Sequence, residues 1–90
     1  MEQIRAVVYG VVQGVGFRYH TCQIAQQLGV KGFVRNQPDG TVEIVAVGTS
    51  DQLNSLLDWA KRGPVGAQVD QVEAEPHTGS AHFDDFTIER

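Results

Sequence analysis

The stretch from Ile4 to Val12, a strand that runs into a glycine turn and then changes period, constrains the fold more than any other feature of this chain. Ile4, Ala6 and Val8 alternate with Arg5, Val7 and Tyr9, which is the two-residue period of a strand. Apolar residues on both of its faces place that strand inside a sheet rather than at its edge. Gly14 and Gly16 interrupt the run. From Phe17 onward, Phe17, Thr21, Ile24, Ala25 and Leu28 share one face of a helix, and Gly29 stops it.

The rest of the chain continues the alternation. Val30 to Asn36 reads as a second strand, with Pro38 and Asp39-Gly40 marking a hairpin turn. Thr41 to Gly48 is a third strand that places Val42, Ile44 and Ala46 on one face. Thr49 with Gln52 three residues later predicts a capping box. Leu53, Leu56, Leu57 and Ala60 follow as a helical stripe closed by Gly63-Pro64. Ala67 to Glu75 is a fourth strand in which Val69 and Val72 share a face only if a bulge intervenes. Residues 76–82 read as loop, and Phe83 to Glu89 as a last short strand or strand extension.

The order strand, helix, strand, strand, helix, strand on a chain of 90 residues predicts a single domain spanning residues 1–90. Its expected class is α+β: a ferredoxin-like βαββαβ sandwich, with an antiparallel sheet in the order 4-1-3-2 and two helices on one face. In that topology the turns after strands one and two open at the same end of the sheet. Residues 13–18 and 36–40 therefore become neighbours, separated by about 10 Å across one strand.

That neighbourhood is where chemistry is expected. A strand that ends in glycines and enters a helix presents unpaired backbone N–H groups and the positive end of a helix dipole. Such a turn cradles anions. Arg18 falls in the first helical turn, and its planar fork suits two oxygens of one phosphate. A tight turn with Arg18 paired to Asp39 or Glu43 is the alternative. Asn36 closes the second strand, where Asn is also common for its turn chemistry. Its amide has both a donor and an acceptor with which to hold a ligand and a water. A P-loop needs Gly-Lys-Ser/Thr where Gly16-Phe17-Arg18 stands, and a dinucleotide fingerprint needs Gly at Tyr19.

Two segments carry a family resemblance. GVVQGVGFR (Gly10 to Arg18) and GFVRNQPDGTVE (Gly32 to Glu43) are similar to the two signatures of the acylphosphatases, with every fixed position met. Length, element order and the closing FDDFTIER resemble that family as well. The resemblance implies hydrolysis of acyl phosphates to a carboxylate and inorganic phosphate, without metal or organic cofactor. It implies Arg18 and Asn36 as the catalytic residues, and Gln13, Gly14, Val15, Gly16 and Phe17, together with Arg18, as the phosphate-binding turn. The implied partner is a small-molecule acyl phosphate, with phosphate or sulfate as competing anions.

Composition narrows the remaining classes. A net charge of −4 argues against nucleic acid and anionic membrane surfaces as partners. An RNA-recognition domain shares the element order but needs stacking aromatics on its third strand, and TVEIVAVG has none. A non-catalytic module of the same fold is the other alternative. The lone Cys22 and the absence of a leader-like N-terminus favour a monomer in a reducing cytoplasm, with Cys22 a small, partly buried thiol. His20 is expected to face away from Arg18, and His77 and His82 to be surface residues. Trp59 is expected to pack, Asp39 to serve the turn, and Glu43 to occupy an exposed strand position.

Overall fold

The computed structural model describes residues 1–79 and 82–89. Ser80 and Ala81, within the loop expected over residues 76–82, lie outside the described residues. The elements in chain order are β1 (Glu2–Val11), α1 (Phe17–Leu28), β2 (Lys31–Asn36), β3 (Val42–Gly48), α2 (Ser50–Arg62), β4 (Gln68–Pro76) and β5 (Phe86–Glu89).

The sheet has five strands in the order β4-β1-β3-β2-β5. The first four follow the expected antiparallel arrangement. The fifth corrects the expectation of an all-antiparallel sheet. Phe86–Glu89 does not extend β4 but crosses to the opposite edge and pairs parallel to β2, so the sheet is mixed. Phe83 reaches Phe33 on β2, with ring centroids 6.0 Å apart, and Asp85 accepts a hydrogen bond from the Gly32 amide at 3.0 Å. These contacts lead the chain into the parallel register.

Two helical stripes cover one face of this sheet. Phe17, Thr21 and Ala25 of α1 and Leu53, Leu56 and Ala60 of α2 are buried. With them in one core are Ala6 and Val8 of β1, Val34 of β2, and Val42, Ile44 and Ala46 of β3. Truncating a fully buried leucine such as Leu56 in a core like this costs about 2–5 kcal/mol. Trp59 packs on Phe17 at 5.4 Å between centroids, so it belongs to this core rather than to a site. The capping box of α2 is complete. Thr49 Oγ1 accepts from the Gln52 amide, and Gln52 Oε1 accepts from the Thr49 amide at 2.9 Å.

The bulge in β4 is present as well. Tyr9 faces Gln71 and Gly10 faces Val69, which leaves Asp70 as the extra residue. That insertion lets Val69 and Val72 pack on the same core.

Glu43 departs from its expected exposure. It is buried on the face of the sheet away from the helices, and it pairs with both Arg5 and Arg35. β3 is the central strand, so its outward residues are flanked by β1 on one side and β2 on the other. The two arginines come from those flanking strands and close over the carboxylate.

Candidate active site

The turn between β1 and α1 has an unusual backbone. Gly14 and Gly16 both sit at φ +77°, and Gly16 is the N-cap of α1. No side chain caps this helix, and its first turn contains no acidic residue. The first-turn amides are therefore left to whatever occupies the space in front of them.

Across from this turn stands the hairpin between β2 and β3. Gly40 donates to the Gln37 carbonyl at 3.1 Å, and Gln37 donates to the Thr41 carbonyl at 2.9 Å. Asp39 Oδ1 accepts from the Thr41 amide at 3.0 Å and lies 2.6 Å from the Thr41 hydroxyl. These bonds hold the Asp39 carboxyl below its ordinary value, with the hydroxyl contributing most. Asp39 thus serves the turn, as its place in the sequence suggested.

Gln13 stitches the two turns together. Its Nε2 donates to the carbonyl oxygens of Gln37 and Thr41, at 2.8 Å each. The expected adjacency of residues 13–18 and 36–40 is therefore a direct contact.

Gly14, Gly16, Phe17, Arg18 and Asn36 line one open pocket of about 220 Å³. Its remaining walls are Val12, Tyr19 and Ile88. Gln13 and Val15 are not part of this lining. Gln13 spends its amide on the hairpin, and Val15 packs against the core. Arg18 is half-buried, and its Nη1 donates to the main-chain oxygen of Glu89 at 3.3 Å. It pairs with neither Asp39 nor Glu43. Asn36 ends β2 opposite Val42. Among the described residues its Oδ1 is the one buried side-chain oxygen or nitrogen without a hydrogen-bond partner. Buried carbonyl oxygens are ordinarily hydrogen-bonded, so this one is open to a polar partner from the pocket side.

Three parts of this arrangement escaped the sequence reading. Ile88 reaches the pocket, and the Glu89 carbonyl reaches Arg18, only because β5 runs parallel to β2. Tyr19 stands in the sequence only as a departure from a dinucleotide fingerprint, although its place next to Arg18 is a usable signal. Gln13 emerges as a brace between turns.

The histidines stay outside the pocket lining. His20 bends back, with Nδ1 2.8 Å from the Gly16 carbonyl, and His82 pairs with Asp84 at 3.0 Å on the surface. Cys22 is half-buried, its Sγ 3.4 Å from the Phe86 carbonyl, and burial pushes its thiol up from the ordinary value, with the charge of Asp85 adding to the effect.

Topology and pocket together define a small α+β domain with one polar pocket at the end of its sheet. A guanidinium, helix-start amides and an unpaired carboxamide oxygen meet at one end of its sheet. Known proteins make the assignment specific. Residues 4–88 match the acylphosphatase family. An acylphosphatase of Pasteurella multocida is 52% identical over 82 residues, 91% of each chain. One from Actinobacillus succinogenes is 47% identical over 90 residues, covering both chains fully. The crystal structure of acylphosphatase from Bacillus subtilis has a TM-score of 0.95 at 34% identity, over 100% of both chains. The chain belongs to the acylphosphatase family, hydrolases acting on acyl phosphates.

Proposed function

We propose that this chain hydrolyses acyl phosphates with Arg18 and the turn before it as the phosphate site and Asn36 as the holder of the attacking water. The observation that supports this most is the pairing of Arg18 with the unpartnered Asn36 Oδ1 on one pocket. The guanidinium and the amides around Gly14, Gly16 and Phe17 bind the phosphoryl oxygens. They offset the charge that shifts as the bond to phosphorus breaks. Gln13 and Val15 complete the turn, Gln13 by fixing its position and Val15 by anchoring it to the core.

Asn36 Oδ1 accepts a hydrogen bond from the water and aims its oxygen at phosphorus, a contribution of proximity and orientation. As the new P–O bond forms, the bridging P–O bond breaks and its electron pair leaves on the carboxylate. A carboxylate is the base of an acid with a pKa of about 4, so its departure requires no proton donor. Among the described residues the lining contains no carboxylate side chain and no histidine, and the water's proton passes to a phosphoryl oxygen. The same lining is poorly suited to phosphate esters, whose alkoxide leaving groups need protonation.

The enzyme on this reading acts as a single-domain monomer in the cytoplasm. It needs no metal or organic cofactor, and neither nucleic acid nor membrane is a partner. The net charge of −4 disfavours polyanionic surfaces, and no helix among the described residues is long and apolar enough to cross a membrane.

Benzoyl phosphate hydrolysis tests the assignment. Arg18→Ala is expected to reduce turnover to the spontaneous rate, and Arg18→Lys nearly so, because a point charge cannot reproduce the planar fork. Inorganic phosphate and sulfate are expected to inhibit competitively. Wild-type-like turnover by either variant, or non-competitive inhibition, would move the anion site elsewhere.

A further inference from the structure

The pocket has two unlike halves. Its polar half is Arg18, Asn36 and the glycine turn. Its other half presents Tyr19 and Ile88, which are 56% and 38% exposed although both are large and apolar. Few large apolar residues on this molecule are exposed to that degree, and two of them meet at this one pocket. A phosphoryl group held by the polar half leaves the apolar half to the acyl group that departs from it.

Tyr19 is also held in place. Its hydroxyl accepts from Gln23 Nε2 at 2.9 Å, and its ring meets the His20 ring edge-on, 5.5 Å between centroids at 87°. His20 is in turn fastened to the Gly16 carbonyl. The ring is thus fixed from two sides while a large share of it remains open. A fixed aromatic face receives another ring at little entropic cost. Among the described residues Arg18 is the only charged side chain in the lining, and the phosphoryl group occupies it.

We propose that Tyr19 and Ile88 form the acyl-binding wall of this enzyme and make it selective for apolar, above all aromatic, acyl phosphates. This rests on the assignment of the phosphate to Arg18. The wall touches the acyl group before and during bond cleavage alike, so its contribution falls on KM rather than kcat. Contacts of this type discriminate by roughly 10–200-fold.

The test compares benzoyl phosphate with acetyl phosphate. In Tyr19→Ala the ratio of kcat/KM for benzoyl over acetyl phosphate is expected to fall about tenfold, with the loss carried by KM for the benzoyl substrate. The double variant Tyr19→Ala/Ile88→Ala should lower it further. Tyr19→Phe keeps the ring and should keep the ratio. A ratio within about twofold of wild type in both alanine variants overturns the inference. So does a Tyr19→Phe variant that loses as much as Tyr19→Ala, since the hydroxyl rather than the face would then matter. Arg18→Ala assayed alongside separates the two levels. If it is inactive while the ratio does not move, the acyl wall alone is wrong; if it is active, the phosphate assignment falls and this inference with it.

Discussion

The side-chain amide of Gln13 donates to the main-chain oxygen of Gln37 at 2.8 Å, and to that of Thr41 at the same distance. One residue thereby ties the turn that carries Arg18 to the hairpin that follows Asn36. Gln13→Ala removes two hydrogen bonds and should lower stability by about 1–2 kcal/mol, read from urea unfolding. Gln13→Glu should cost more, because it sets a carboxylate against two carbonyl oxygens. An alanine variant as stable as wild type would show that the brace has no net worth.

Asn36 separates binding from turnover. Asn36→Ala should lower kcat about a hundredfold with KM little changed, because the water loses its orientation while the phosphate retains Arg18. Asn36→Asp should raise KM as well, by placing a negative charge beside a dianion. A large KM effect in the alanine variant would make Asn36 a substrate ligand instead.

Asp39 gives the acid limb of stability a definite sign. Thr41 lowers its carboxyl pKa in the folded state, so this interaction stabilises the protein above the unfolded value of about 4. The contribution disappears as pH falls through the lower folded value. Asp39→Asn should therefore reduce the urea midpoint at about pH 7, with the gap to wild type closing toward about pH 2. In Thr41→Val the Asp39 titration, followed by NMR, should move back up toward the ordinary carboxylate range. A gap that widens in acid contradicts this account.

Glu43 is a buried charge between two partly hydrated ones. Its side chain is 6% exposed, against 31% for Arg5 and 46% for Arg35. Glu43→Ala leaves two guanidiniums facing each other, and should destabilise by about 1–3 kcal/mol, less than a fully enclosed pair because both arginines can rehydrate. Adding Arg5→Ala to that variant should recover part of the loss, and a double-mutant cycle on the two sites measures the coupling.

Local signals were the legible ones. The change of period at Phe17, the Thr49–Gln52 box and the mismatch of Val69 with Val72 each arise from residues a few positions apart, and each has its counterpart in the structure. Glu43 was not legible, because its burial depends on Arg5, 38 residues away in the chain. β5 was not legible for a similar reason. Four alternating residues fit either sheet edge, and what decides the edge is Phe33 and Gly32 meeting Phe83 and Asp85. Of the pocket, the residues on the turn and at the end of β2 were readable as motifs. The wall that β5 supplies was hidden by the same long-range choice.

The position of β5 in chain order has an effect during synthesis. A nascent chain exposed as far as β4 already holds both turns, Arg18 and Asn36, yet lacks Ile88 and the carbonyl that anchors the guanidinium. Residues 86–89 therefore add the acyl wall and a fixed guanidinium last, after the rest of the sheet is already exposed.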